Sequence, residues 1–296
     1  MHKPRAADNP LISVVIPVLD RQDWIAEAVD SVLLQDYAPF ELIVVDDGST
    51  DQTPEILSTY GDAIRVFNQV NAGVSAARNR GAAAARGEWI AFLDSDDYWL
   101  PGKLAAQMRF FRDNPEIAIC QTEEYWIRRG TRVNPGRRHK KQAGRIFAPS
   151  LELCLISPSA AMMHKSLLAE EGGFNENLPA CEDYDLWLKI TCSHPVGLIR
   201  EPFIVKRGGH PDQLSARPGL DRYRIESIAG IMASGRLNPD QYRAAARVLK
   251  EKCEIYAAGC EKRGKTSEAA RYKELGVSFA LREETRNPKH EIRNKN

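Results

Sequence analysis

The chain has 296 residues, 43% of them hydrophobic, enough for one large domain or two ordinary ones with a real core, which excludes disorder as the default state. Its 41 lysines and arginines balance 40 aspartates and glutamates, so no global field recruits nucleic acid or an acidic membrane. Six scattered cysteines form neither a CxxC pair nor a finger spacing, the start MHKPRAADNP lacks an apolar signal core, and no run approaches the ~18 apolar residues of a membrane span. Reduced thiols and a cytoplasmic location are therefore expected.

In chain order, Leu11 to Leu19 and Phe40 to Ser49 are β-branched runs that end in turn residues. Between them Trp24, Ala28 and Val32 share one helical face, flanked by Ile25 and Val29. Thr53 and Pro54 suit a helix start, IRVFNQ a short strand, and VSAARNRGAAAARG a helix closing on Gly87. EWIAFLDSDD supplies another strand, KLAAQMRFFRDNP a helix and IAICQTEEYWI a strand. Continuous apolar strands separated by helices predict an α/β fold with a mostly parallel sheet covered on both faces. The run from Arg128 to Arg145 is basic and poor in apolar residues, which predicts an exposed loop. Past about Leu220 the pattern is helical only: Tyr242, Ala246, Leu249, Cys253 and Tyr256 share one face, as in a helical hairpin packed on the sheet domain or on a partner. The final polar residues are expected to fray, and the chain shows no internal repeat.

Two predicted strand ends carry acids: Asp46 and Asp47 in VVDDGS, and Asp94, Asp96 and Asp97 in FLDSDD. Ligands of such sheets bind outside the carboxyl ends of the strands. Crowded carboxylates raise one another's pKa unless a cation or hydrogen-bond donors balance them. A hard divalent ion, Mg2+ or Mn2+, completed by a diphosphate, meets that need. The plainer account is that these acids cap turns into helices, which for one cluster alone is equally good; two clusters on one sheet weigh against it.

Four segments in order, SVVIPVLDRQDWIAEAVDSVLLQ, ELIVVDDGSTDQT, NAGVSAARNRGAAAARGEWIAFLDSDD and GGFNENLPACEDYDLWLK, resemble the successive motifs of family 2 glycosyltransferases, inverting enzymes with the GT-A fold. The similarity runs from about Leu11 to Ser215. It implies a GT-A domain over residues 1–218, with a nucleotide-binding half at about 11–100 and an acceptor half at about 101–218; outside the resemblance lie the helical region, 219–283, and a tail expected to be disordered, 284–296. By the same resemblance Pro17 and Val18 lie along the nucleotide base, Asp46 and Asp47 near base and ribose, and Arg78 reaches the nucleotide. Asp94, Ser95 and Asp96 match the DxD motif, whose last acid ligates the metal, and Asp97 is an adjacent extra. Leu19 and Asp20 depart from the family's usual aromatic and Asn, so base packing stays open there and Asp20 is a secondary candidate.

Glu182, Asp183 and Asp185 precede an apolar face, and alone they read as the acidic first turn of a helix. The resemblance makes Asp183 the general base and Glu182 its helper. Arg207 and His210, around the glycine pair Gly208 and Gly209, match the family's flexible basic loop, and Ser159 either faces the acceptor or caps a strand. The expected reaction is inverting transfer of a sugar from a nucleotide diphosphate, with uridine the commonest base, to an acceptor hydroxyl. The acceptor would be a glycan, a lipid-linked group or a small molecule, at the inner membrane face if the basic run Arg128 to Arg145 touches lipid, and the C-terminal helices offer a surface for oligomers. A nucleotidyltransferase of related fold would show a glycine-rich loop after its first strand, and IPVLDRQD has no glycine. A phospho-accepting signalling domain would be half this length, and a non-catalytic sugar-binding relative would not need every acid present here.

Overall fold

The structure, a computed structural model, describes residues 9–134, 136–209, 213 and 218–286. The first half alternates as β1 (Ile12–Val18), α1 (Ile25–Leu33), β2 (Phe40–Asp46), α2 (Thr53–Ser58), β3 (Arg65–Asn68), α3 (Val74–Ala84) and β4 (Trp89–Phe92). The two-residue β5 (Tyr98–Trp99), α4 (Lys103–Asp113), β6 (Ile119–Arg128) and β7 (Thr131–Val133) follow. Next come α5 (Phe147–Glu152), β8 (Ala161–His164), α6 (Lys165–Glu170), α7 (Glu182–Thr191) and β9 (Gly197–Gly208). The chain then turns helical, with α8 (Asp221–Ala233), α9 (Pro239–Lys262) and α10 (Thr266–Arg286).

One sheet runs in the order β3-β2-β1-β4-β8-β6-β9-β5, with β7 on the outer part of β6. Its first four strands are parallel, as expected, but β8 is antiparallel to both β4 and β6, and β5 and β7 are antiparallel too. The expectation of a mostly parallel sheet is thus corrected to a mixed one. Continuous apolar composition reports burial on both faces, and a covered antiparallel strand shares it. Along β1 the side chains of Ile12, Val14 and Ile16 enter one core cluster while Val15 enters another on the opposite face. A helix covers each side closely: a Cβ on Gly81 of α3 would stand 2.3 Å from Val15 Cγ1.

The register explains where the site opens. β4 stays paired with β1 only from Ile12–Trp89 to Val15–Phe92, whereas β2 follows β1 as far as Val18–Asp46. A crevice therefore forms beside Pro17, past the reach of β4, where the absent N–H of proline costs no ladder bond. β6 and β9 pair in parallel with register shifts on either side of Glu123, and β9 continues far enough for Ile204 and Val205 to hold β5, just beyond the Asp94–Asp97 turn. That bulged pair forms the far wall of the crevice.

The basic segment 128–145 is not a plain exposed loop. It doubles back as β7, makes a 3-10 turn over Arg137–His139, and buries Lys141 against Glu124 at 3.0 Å and Gln121 at 3.1 Å. Tyr125 and Trp126 of β6 also receive the cations of Arg132 and Arg128. Local composition showed the charges but not these partners.

Helices α8 to α10 pack on the sheet domain: Phe147 and Leu151 of α5 and Tyr184 and Leu188 of α7 share one core cluster with Ile225, Ile228, Leu249 and Cys253. All six cysteines are free. Among the described residues no helix is long and apolar enough to cross a membrane.

Candidate active site

A cavity of about 670 Å³ occupies the crevice, and Pro17, Arg78, Asp94, Ser95, Asp96, Glu182, Asp183 and Arg207 all line it. Its organising residue is Arg78 on α3, only 4% exposed. Nη2 donates to Asp94 Oδ1 at 2.7 Å and Nη1 to Glu182 Oε1 at 2.6 Å, so one guanidinium ties the end of β4 to the start of α7. Burial opposes its charge, but Asp94 and Glu182 outweigh that cost and raise its pKa. Burial, with Asp183 beside it, pushes the Glu182 carboxyl up while Arg78 pulls it down; the 2.6 Å contact keeps the two an ion pair.

The three acids after β4 have separate tasks. Asp94 is one-quarter exposed and held by Arg78. Asp97 is buried: its Oδ2 accepts from Ser159 Oγ at 2.7 Å and its Oδ1 from the Arg207 backbone N–H at 2.9 Å. Burial, then the charges of Asp96 and Asp94, push Asp97 well above the usual carboxylate range. It acts as a buried tie between the acidic turn, the turn at Pro158–Ala160 and β9. Ser159, which also accepts from the Asp94 N–H at 3.1 Å, is a brace for that turn rather than a strand cap. Asp96 is half-buried and lines the cavity, as does buried Ser95.

Asp183 sits in the first turn of α7, where the helix dipole favours negative charge. Its Oδ1 accepts from the Tyr184 N–H at 2.7 Å, and its Oδ2 from the Cys154 thiol at 3.4 Å. Burial and the neighbouring Asp183 carboxylate push the Cys154 thiol well up, so it stays a donor.

The first acidic pair is placed differently. Asp46 Oδ1 accepts from the Ser49 N–H at 2.9 Å, and Asp47 accepts from Gln69 Nε2 at 2.7 Å and from the N–H groups of Ala72 and Gly73 at 2.8 Å. Both are buried and neither lines the cavity, nor does Val18. Together they shape the loop leading into α3 and thereby aim Arg78. Asp20, at a positive φ of 48°, accepts from the Thr50 N–H at 2.7 Å and joins the β1 loop to the DDGST loop outside the cavity. Arg207 lines the cavity but spends Nη2 on Glu27 Oε2 of α1 at 2.5 Å. His210 lies outside the described residues.

The far wall holds residues that local motifs did not single out. Trp126 and Lys206 come from β6 and β9, Arg224 from α8 and Lys252 from α9, and all four line the cavity. Lys206 has a visible signal in its position beside Arg207. Arg224 and Lys252 have none, because nothing local ties the helical region to the sheet.

Residues 13–172 match the profile of glycosyl transferase family 2. The chain belongs to that family. A glycosyltransferase of Rickettsia felis is 33% identical over 226 residues, 73% of this chain and 37% of its own length. A second, of Rickettsia typhi, is 34% identical over 67% of this chain and 64% of its own length. The chain thus spans between about a third and two thirds of these curated relatives. WfaP of Escherichia coli, a UDP-Glc:alpha-D-GlcNAc-diphosphoundecaprenol beta-1,3-glucosyltransferase, is 32% identical over 61% of this chain and 70% of its own length. Among solved structures, S. aureus TarS 1-349 in complex with UDP-GlcNAc aligns with a TM-score of 0.63 at 19% identity, over 91% of each chain. The Pyrobaculum calidifontis mannosyltransferase PcManGT in complex with GDP-Man and Mn2+ aligns at 0.56 and 17%, over 96% of this chain and 89% of its own. The architecture of this family 2 glycosyltransferase is the GT-A fold, with a mixed sheet and C-terminal helices.

No group of three or more histidine, cysteine and carboxylate side chains among the described residues closes into a protein-only metal site. Asp94 and Asp96 place carboxylate oxygens at the cavity wall, donors of the hard kind that Mg2+ and Mn2+ take.

Proposed function

We propose that this family 2 glycosyltransferase moves a sugar from a nucleotide diphosphate, with UDP the favoured carrier, to an acceptor hydroxyl with inversion at the anomeric carbon. The observation that carries the proposal is the Arg78 bridge. It brings the acidic end of β4 and the acidic start of α7 into one cavity, so a donor-side acid set and a candidate base face one bound substrate. Pro17 offers a surface for the base and Asp96 the metal ligand, with Asp46 and Asp47 setting the loop that frames base and ribose. A divalent ion bound there would offset the charge that develops on the departing diphosphate.

Asp183 accepts the proton of the acceptor hydroxyl as its oxygen attacks the anomeric carbon from the face opposite the diphosphate. The Tyr184 N–H and Cys154 Sγ–H fix the carboxylate's orientation, while Arg78 and Glu182 hold the start of α7 against the donor side. The relatives support a UDP-linked donor and a lipid-linked acceptor: WfaP uses UDP-Glc and a diphosphoundecaprenol-linked acceptor, and TarS was crystallised with UDP-GlcNAc.

Calorimetry with UDP tests this reading. UDP should bind with Mn2+ or Mg2+ and lose most of its affinity in chelator, and Asp96→Ala should mimic the chelator without changing thermal stability. Undiminished binding in chelator removes the metal from the mechanism. Failure of any nucleoside diphosphate sugar to bind or shift the melting temperature removes the donor altogether, since a ligand at ~100 times its dissociation constant adds about 2.7 kcal/mol of stability.

A further inference from the structure

Most charges around the cavity are matched in pairs. Arg78 takes Asp94 and Glu182, Lys141 takes Glu124 at 3.0 Å, and the Glu152 carboxylate takes Arg247 at 2.7 Å. Lys206, which also lines the cavity, is held charged by the acids around it, Glu124, Asp97, Asp94 and Asp183. On the helical wall two cations are less well matched among the described residues. Lys252 Nζ reaches only the Glu152 backbone carbonyl, at 3.4 Å. Arg224 shares one nitrogen with Asp221 at 3.2 Å, while its Nε is buried without an acceptor.

We propose that Arg224 and Lys252 form a subsite for a phosphate group carried by the acceptor. The inference rests on the glycosyl-transfer reading and names its acceptor class. An unmatched buried donor is costly, so a fold that leaves the Arg224 Nε without an acceptor at this cavity gains by binding an anion there. The two cations come from separate elements, α8 and α9. That suits a tetrahedral phosphate, whose oxygens face several directions, better than a planar carboxylate. Cys154, the thiol donor to Asp183, feels the charges of both Lys206 and Arg224, which puts the subsite next to the base. Trp126 and Leu220 on the same walls provide apolar surface for the sugar ring attached to that phosphate.

The test uses the whole chain with its donor side filled by UDP and Mn2+. α-D-Glucose 1-phosphate and glucose are titrated in parallel, and the phosphate is expected to improve binding about tenfold or more. Lys252→Gln and Arg224→Gln should each remove most of that gain and leave UDP affinity unchanged, and Arg224→Lys should restore part of it. Lys252 is half-exposed, so its variant folds even if the Arg224 variants do not. A second arm offers a polyprenyl phosphate in phosphatidylcholine vesicles. Binding there assigns a lipid-borne phosphate, and binding of the soluble ester alone assigns a free one. Equal affinity for glucose and its phosphate, with no binding to the doped vesicles, overturns the subsite, as does full binding in the Lys252→Gln, Arg224→Gln double variant. Repeating the titration without UDP and Mn2+ keeps this outcome apart from failure of the donor reading, which shows in UDP binding alone.

Discussion

At the scale of single residues, Asp183 and Asp185 make the informative comparison, because they are two positions apart on the same acidic turn and face different surroundings. Asp183 lines the cavity, with Cys154 and its own helix N-terminus holding it. Asp185 is buried outside that cavity and pairs with Lys189 one turn along α7 at 2.6 Å. A positioned general base contributes ~10²–10⁴-fold in rate. Asp183→Asn keeps the size and the accepting oxygen but cannot take the proton, so turnover should fall by about that factor while UDP affinity stays near wild type. Asp185→Asn should leave turnover within about twofold and show its cost in stability instead, because it breaks a largely buried ion pair. Steady-state rates with a competent acceptor, set beside UDP calorimetry, check both. Full turnover in Asp183→Asn would move the base to another acid.

At the scale of elements, α4 begins with a buried lysine whose charge has a readable cost. Lys103 donates to Gln107 Oε1 at 2.6 Å and lies 4.0 Å from the Trp99 ring, yet it has no carboxylate partner among the described residues. Burial lowers its pKa from 10.5 to about 7, with the neighbouring Cys120 opposing the shift and Lys141 adding to it. Between those two values the unfolded chain holds a proton that the folded chain has released, so stability rises with pH by up to about 1.4 kcal/mol per unit. Below about pH 7 both states are protonated and the penalty is constant. Lys103→Met should remove this slope, and the gap in melting temperature between variant and wild type should narrow as pH is raised toward 10.5. Parallel pH dependence of the two proteins would show that Lys103 keeps its proton throughout. The strands and helices of the first half were readable because each is a local pattern: β1, β2 and β4 are continuous apolar runs and Pro54 opens α2, although α3 ends at Ala84, three residues before the expected Gly87. The antiparallel entry of β8 was not readable, since strand direction depends on the route of the chain and not on composition. The same limit applies to the site. DSDD and EDYD announce their acids locally, but the Arg78–Glu182 pair joins residues 104 positions apart and the role of Arg224 exists only after α8 has docked.

At the scale of the whole molecule, the C-terminal helices are structural partners of the catalytic half. Phe147, Leu151, Tyr184 and Leu188, on α5 and α7, are buried in the same cluster as Ile225, Ile228, Leu249 and Cys253. Tyr184 follows Asp183 directly and anchors α7 through its hydroxyl, which donates to the Leu151 carbonyl at 2.8 Å. Removing everything after Gly219 would expose those four side chains. Each is worth about 1.5–3 kcal/mol of burial, against a typical total stability of about 5–15 kcal/mol. The start of α7, and with it Asp183 and Glu182, would lose the surface it leans on. A chain ending at Gly219 should therefore not melt cooperatively, should elute as aggregate in gel filtration, and should not bind UDP with Mn2+. Substituting an exposed position on the outer face of α10, such as Val277→Ser, should change the melting temperature little, because that side chain is 51% exposed. A truncated chain that stays monomeric, melts in one transition and keeps its UDP affinity would make the helices an appendage, leaving the donor site to the sheet domain alone.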